Sequence, residues 1–115
     1  MEKFDLKEKS QLSDIIKQSE TLSDGVVILK HSTRCAISSM VWSRFQRNWQ
    51  ASSKELPVYY LDIIRYRELS NLVSETFEVA HESPQVLLIK NGKCVYHASH
   101  NSISPDRVME QAQYA

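Results

Sequence analysis

The chain has 115 residues, enough for one domain with a single hydrophobic core and too few for two, so we expect one domain over residues 1–115. Its 14 basic and 14 acidic side chains cancel, which argues against binding to nucleic acid or to an anionic membrane surface. The longest apolar runs have the length of a strand, far below the roughly 20 residues that span a bilayer. Two cysteines and a charged start without an apolar stretch predict a cytoplasmic protein with reduced thiols.

Hydrophobic periodicity and turn residues predict alternating helices and strands along the chain. In chain order these are a helix around residues 12–16, a strand at 26–30, a helix at 35–50, a polar connection at 51–55, a strand at 57–61, a helix at 66–77, strands at 86–89 and 94–97, and a last helix from 105. Asn91-Gly92 is a strong signal for a hairpin between the last two strands. Ser104 is suited to cap the last helix and Pro105 to begin it. The order predicts an α/β sandwich, with a mixed sheet of about four strands and helices on both faces.

Cys35 lies where the strand at 26–30 is followed by a helix. The first turn of a helix offers unpaired N–H groups and the positive end of the helix dipole, and a thiol placed there tends to ionise to the reactive thiolate. Because the dipole usually contributes only about 0.3–1 kcal/mol, other groups must add to it. The candidates are the N–H groups of residues 36–38, the Ser38 hydroxyl and the charge of Arg34. The pattern also leaves open that Cys35 is a small, inert core side chain.

Ser38 occupies the position, three residues after Cys35, where a dithiol oxidoreductase carries its second cysteine. Judged on residue type alone, a serine here is most simply a helix-surface side chain. The spacing nevertheless places it on the same helix face as Cys35. A serine cannot resolve a mixed disulfide, so a disulfide formed by Cys35 requires an external thiol for its release.

The segment KHSTRCAIS, residues 30–38, resembles the active-site signature of the monothiol bacilliredoxins. Residues 81–93 and 96–100 resemble the same family, so the resemblance extends over nearly the whole chain. It implies a thioredoxin-like fold and the removal of bacillithiol from S-bacillithiolated proteins, through a mixed disulfide on one thiol. Bacillithiol would then be a co-substrate, and no bound cofactor is implied.

The resemblance also implies roles for individual residues. Cys35 would be the nucleophile, and Ser83-Pro84 would form the opposing wall of a substrate groove, with a cis peptide bond. The residues expected to shape the environment of the thiolate are Thr33, Arg34, Ala36, Ile37 and Ser38. Many members carry proline where this chain has Ala36, which keeps an N–H donor but makes the turn less rigid. The residues alone would equally allow a trans Pro84 opening a strand.

Other chemistry has weaker support. His31 and Cys35 are four residues apart, but no further ligands have the spacing of a metal site, so we expect no bound metal. We assign His31 to capping or loop hydrogen bonding. Cys94 lies in a predicted strand and is expected to be a packing side chain of the core.

Two alternative functions stay open. One is a thioredoxin-like binding module that holds a peptide near Pro84 and has an inert thiol. The other is a reductase of an inorganic oxyanion such as arsenate. The latter needs a basic pocket, for which Arg34 alone is little evidence.

Overall fold

The computed structural model describes residues 2–50 and 56–114. The elements, in chain order, are β1 (Lys3–Asp5), α1 (Ser10–Thr21), β2 (Val26–His31), α2 (Ala36–Gln50), β3 (Val58–Asp62), α3 (Arg67–Phe77), β4 (Gln85–Lys90), β5 (Lys93–Ser99), a 3-10 turn (His100–Ser102) and α4 (Pro105–Tyr114). The predicted helices and strands are all present. The polar connection predicted at 51–55 lies outside the described residues.

The strands form one mixed sheet with the order β1-β3-β2-β4-β5. β1, β3 and β2 are parallel, whereas β4 and β5 run antiparallel to their neighbours. The α/β class is confirmed, but the prediction of about four strands was one short. The missing strand, β1, has only three residues, all exposed, and therefore lacks the apolar run by which a strand is recognised.

Helices cover both faces of the sheet, as expected, and the alternation of side chains along β2 assigns each residue to a face. Val26 and Ile28 pack in the core that includes α1 and α3. Val27 and Leu29 pack in the core that includes α2 and α4. Burying each of these side chains contributes about 1.5–3 kcal/mol relative to leaving it exposed. Within residues 2–50 and 56–114, no helix is both long and apolar enough to cross a membrane.

The two ends of the sheet are used differently. We call the end where β2 finishes at His31 and β4 starts at Gln85 the thiol end, and the end where β2 starts and β4 finishes the turn end. The predicted hairpin lies at the turn end: Asn91 and Gly92 both have positive φ, 52° and 75°, as a two-residue type I′ turn requires. Ser19 of α1 closes this turn, because its hydroxyl accepts the Gly92 N–H at 2.9 Å.

Candidate active site

Cys35 lies at the thiol end, in the turn that joins β2 to α2. Its N–H donates to the Ser32 carbonyl at 3.1 Å, and its own carbonyl accepts the Ser39 N–H at 3.0 Å. Cys35 is therefore the N-cap residue of α2, and its side chain is half-buried. This is the strand-to-helix junction that the sequence predicts, and at such a junction the N-cap residue lies at the positive end of the helix dipole, beside the unpaired N–H groups of the first turn.

The neighbours of Cys35 in the chain are mostly at the surface. Thr33, Arg34 and Ala36 are exposed, and Ile37 is 56% exposed. Met40, one helical turn after Ile37, is 59% exposed. Ile37 and Met40 therefore form an exposed apolar strip on α2 beside the thiol. The role predicted for the neighbours of Cys35 around the thiolate stays a prediction, and the buried contacts of the turn come from elsewhere.

Ser38 supplies those buried contacts. It is fully buried, so the interpretation as a helix-surface serine was wrong. Its Oγ accepts the Ser32 N–H at 3.1 Å and lies 2.7 Å from His31 Nδ1. In the described part of the chain no hydrogen bond reaches the Cys35 sulfur. Ser38 thus ties the end of β2 to the first turn of α2, on either side of the turn that carries Cys35.

His31 is the last residue of β2 and is only 4% exposed. Its ring packs beside Trp42 and Tyr60, with centroid separations of 6.4 and 5.7 Å. Burial lowers the pKa of His31, and the charge of Asp62 partly opposes this shift. His31 is therefore neutral near pH 7. Its hydrogen bond is consistent with the loop role expected for it. The partner is Ser38, seven residues later across a strand-to-helix turn, and no sequence pattern predicts this pairing.

The side chains that could ligate a metal are dispersed in the described structure. No group of three His, Cys, Asp or Glu side chains in residues 2–50 and 56–114 is arranged to hold a metal ion. His31 contacts a serine hydroxyl, and no hydrogen bond joins it to the thiol four residues later. The ring of His31 therefore contributes to the turn through its hydrogen bond.

Ser83-Pro84 lies at the same end of the sheet as Cys35. Lys30, next to the end of β2, pairs with Gln85 at the start of β4, so the peptide that precedes β4 comes opposite the turn that follows β2. The Ser83-Pro84 bond is cis, as the resemblance implies. Pro84 is buried, and its carbonyl accepts the His100 N–H at 3.0 Å. The structure therefore brings the two predicted parts of the groove to one end of the sheet.

A buried lysine beneath this end was missed by the sequence analysis. Lys30 is fully buried, and its Nζ donates to the Ser70 carbonyl at 3.1 Å, the Ser74 Oγ at 2.9 Å and the His81 Nδ1 at 3.2 Å. Burial lowers the pKa of Lys30 to about 8. The amine joins β2 to α3 and to the loop before the cis proline. Lysine is rarely buried, so the only signal was its place in an apolar run.

Cys94 is remote from Cys35. It pairs with Ile89 of β4, which pairs with Val26 at the turn end of β2. At about 3.3 Å per residue, the six-residue strand β2 separates the two ends by roughly 15 Å. A disulfide needs Cα atoms closer than about 7 Å, so Cys94 cannot pair with Cys35 within one folded molecule. Cys94 packs against the core that includes α1, as expected, and burial raises the pKa of its thiol.

A basic groove of about 740 Å³ lies beside α3. Its charged lining consists of two carboxylates, Glu68 and Glu75, and four cations, Lys7, Lys9, Arg65 and Arg67. Neither Cys35 nor Arg34 lines it. It is therefore not an oxyanion pocket around the thiol, and the alternative of an inorganic oxyanion reductase gains no support from it.

Comparison with known proteins agrees with this geometry. The chain matches the sequence family described as monothiol bacilliredoxin BrxC over residues 4–108. A solved structure described as an oxidoreductase with a thioredoxin fold is 29% identical, with 96% of this chain and 93% of that chain covered and a TM-score of 0.78. Thioredoxin O1 from Arabidopsis thaliana is 14% identical, with 96% of this chain and 97% of that chain covered and a TM-score of 0.72. A thioredoxin variant from Halobacterium salinarum is 15% identical, with 97% of this chain and 88% of that chain covered and a TM-score of 0.68. The fold is that of thioredoxin.

Proposed function

Because the chain belongs to the monothiol bacilliredoxin family, we propose that it removes bacillithiol from S-bacillithiolated proteins with Cys35 as its single nucleophile. The family and the fold make the protein a thiol–disulfide oxidoreductase that acts on thiol-modified proteins. The observation that carries the proposal is the position of Cys35 as the N-cap residue of α2, with a serine three residues later. The start of a helix is a position where reactive cysteines are commonly found, and no second thiol is next to Cys35.

The reaction consists of two thiol–disulfide exchanges. The Cys35 thiolate attacks the bacillithiol sulfur of the substrate disulfide, the substrate cysteine leaves as a thiolate that takes up a proton, and a Cys35–bacillithiol disulfide forms. The thiolate of a second, free bacillithiol then attacks the bacillithiol sulfur of that disulfide. Cys35 leaves as a thiolate, and the oxidised product is the disulfide of bacillithiol.

The second exchange requires an external thiol for two structural reasons. Ser38 carries a hydroxyl, which does not cleave a disulfide, and it is held in hydrogen bonds to His31 and Ser32. Cys94 lies at the turn end of the sheet. The free low-molecular-weight thiol is therefore a co-substrate, and a reducing cytoplasm is the compartment that suits it.

The substrate protein would meet the thiol end of the sheet. The apolar strip of Ile37 and Met40 offers contact area next to the sulfur. On the other side, the backbone before Pro84 can pair with an extended segment of the substrate, since strand addition at an exposed edge is a common mode of peptide binding. Ser83 and Pro84 thereby hold the modified cysteine of the substrate near Cys35.

The test is to incubate the reduced protein with an S-bacillithiolated model protein and to follow both by mass spectrometry. We expect wild type and the Cys94→Ser control to acquire the mass of bacillithiol on Cys35 and to release the model protein reduced. Cys35→Ser should acquire nothing. Absence of transfer to the wild type, or transfer to Cys94 instead, contradicts the proposal and leaves the inert binding module as the better function.

The choice of thiol is tested in the second exchange. The isolated Cys35–bacillithiol disulfide is mixed with equal concentrations of bacillithiol, glutathione or cysteine, and the release of Cys35 is timed. We expect bacillithiol to be the fastest reductant. Equal rates for the three thiols would contradict the specificity for bacillithiol but not the monothiol exchange itself.

A further inference from the structure

We propose that Lys30 is a positioning residue that, through its hydrogen bond to His81, fixes the part of the substrate groove that precedes Pro84. The inference rests on the proposed function, in which the backbone before Pro84 pairs with an extended segment of the substrate protein. It gives a role to a buried amine that the exchange reaction itself does not use. The contacts of the amine and the place of its partner just outside the sheet both support it.

The ammonium group of Lys30 has three protons and three acceptors. At pH 7, below its pKa of about 8, the amine is charged and can only donate. Its acceptors are the Ser70 carbonyl, the Ser74 Oγ and the His81 Nδ1, at 3.1, 2.9 and 3.2 Å. The first two belong to α3, and the third belongs to the loop after it. Because an unpaired proton on a buried ammonium group is costly, each of the three acceptors is held to the amine.

His81 lies between the buried amine and the surface. It is exposed, although its Nδ1 contacts the amine. Because the ammonium group donates to Nδ1, the ring proton is on Nε2. Burial and the charge of Lys30 lower the pKa of His81, and the charge of Glu82 partly opposes this shift. The ring is therefore a neutral acceptor at pH 7, and it ties the surface of the loop to the buried side chain of β2.

The segment 81–83 is held by side-chain contacts. β4 begins at Gln85, so this segment lies outside the sheet and is not part of the pairing of β4 with β2. Glu82 accepts the Ser99 hydroxyl of β5, and His81 accepts from the buried amine of β2. Of these two contacts, the one with the amine joins the segment to the strand that leads into the turn with the thiol. It therefore links the two sides of the proposed groove.

The hydrogen bond to His81 should affect how well the substrate protein binds. Without it, the segment before Pro84 spends part of its time in other positions, and the apparent affinity falls by the fraction that stays competent for binding. We expect a change of about fivefold, which corresponds to about 1 kcal/mol, the usual net contribution of one hydrogen bond. Neither Lys30 nor His81 takes part in the exchange of sulfur bonds, so the maximal rate should stay the same.

The first experiment measures the turnover of an S-bacillithiolated model protein at increasing concentrations, with free bacillithiol in excess. His81→Leu, which removes the acceptor, should raise the KM about fivefold and keep the kcat of the wild type. His81→Asn, whose amide oxygen can accept from the amine, should keep both wild-type values. His97→Leu, at an exposed histidine of β5, is the matched control and should keep them as well.

A small disulfide separates binding of the substrate protein from general damage to the fold. The disulfide of bacillithiol contains no protein segment, so wild type and His81→Leu should react with it at equal rates. A variant that loses rate equally with both disulfides would overturn the inference. A KM of His81→Leu equal to that of His97→Leu would overturn it too, as would a His81→Asn variant as poor as His81→Leu.

The same assay distinguishes the two proposals. If the wild type transfers bacillithiol but the His81 variants do not differ in KM, the proposed function stands and the positioning role is wrong. A wild type that transfers no bacillithiol overturns both.

A second measurement tests the contact between the amine and the ring without any substrate. The ring ¹⁵N shifts of wild-type His81 should show the proton on Nε2. In Lys30→Met the charge next to the ring is removed, so the pKa of His81 should rise toward its ordinary value. A wild-type ring with its proton on Nδ1, or a His81 that titrates at the same pH in both proteins, would overturn the inference.

Discussion

At the scale of single residues, the site is defined by a hydroxyl that stands where a second thiol would complete a redox pair. Ser38 keeps the buried position on α2 but contributes hydrogen bonds to His31 and Ser32 instead of a sulfur. The consequence is that Cys35 has a firmly held turn around it and no internal partner for a disulfide. The turn is thus held by hydrogen bonds in its buried part, while its outer residues are exposed.

Ser38→Cys should create such an internal partner. Cysteines at the N-cap and at the third position of a helix are close enough for a disulfide, so mild oxidation should join Cys35 to the introduced thiol in this variant. The measurement is the loss of both free thiols, read by alkylation and peptide mapping, with Ser19→Cys as a control whose thiol lies at the turn end. A Ser38→Cys variant that never forms the bond would show that the two side chains do not share a helix face.

Residue type explains which parts of the site were predictable. The position of Cys35 followed from an apolar strand and a helical period on either side of it, both of which are local patterns. The burial of Ser38 and of Lys30 was not predictable, because both types are usually exposed and their partners are remote in the sequence. A buried polar residue is recognised by the group that satisfies it, and only the fold supplies that group.

At the scale of elements, the two glycines at the turn end have different tolerance for a side chain. Gly25 precedes β2 with a φ of 91°, and a Cβ there would lie 2.5 Å from the Ile89 carbonyl oxygen. Gly92 in the β4–β5 turn has a φ of 75°, but a Cβ there would meet only the Ile16 Cγ2, at an ordinary 3.4 Å. The first position thus combines an unfavourable φ with a clash against backbone, and the second has the unfavourable φ alone.

Gly92→Ala should therefore lower the free energy of unfolding by about 1–2 kcal/mol, the usual cost of a left-handed conformation. Gly25→Ala should lower it by about 3 kcal/mol or more, because overpacking adds to that cost. Urea denaturation of the two variants measures the difference. The alkylation rate of Cys35 in the folded variants serves as the control and should not change. Equal costs at the two positions would contradict the role given to the close approach of Gly25 and Ile89.

The elements themselves were largely predictable from sequence. The Asn91-Gly92 pair sits between two apolar runs, and the turn it predicts has the two positive φ values that this dipeptide favours. Ser104 and Pro105 likewise mark the start of α4. β1 was missed because its pairing with β3 comes from neighbouring backbone and from contacts such as Phe4 on Tyr59, with ring centroids 5.2 Å apart. A short exposed strand carries no pattern of its own.

At the scale of the whole molecule, the buried amine of Lys30 links stability to pH. In the unfolded chain its pKa is near the ordinary 10.5, and in the folded chain it is about 8. Between these values the unfolded chain binds a proton that the folded chain has released, so the free energy of unfolding rises with pH across this window. Below about pH 8 both states are protonated, and the cost of burying the charge is present in full.

Lys30→Met should remove this dependence, since methionine fills similar space without a charge. We expect the stability of wild type, relative to Lys30→Met, to rise by about 2–3 kcal/mol between roughly pH 8 and pH 10. Chemical denaturation at a series of pH values measures it. Lys17→Met, on the exposed face of α1, is the control and should follow the wild type. If the free energy of unfolding of Lys30→Met changes with pH as that of the wild type does, the amine titrates normally in the folded state.

The two cysteines lie at opposite ends of the sheet, and this separation also sets the kinetic order of the proposed reaction. Because Cys94 cannot reach Cys35, an oxidised molecule has no unimolecular route back to its reduced form. Regeneration is then a bimolecular step whose velocity is proportional to the concentration of free thiol. The fraction of protein present as the mixed disulfide therefore falls as that concentration rises. Because the sheet keeps the two cysteines apart, the fraction of Cys35 held in the mixed disulfide reports the concentration of free thiol around the protein.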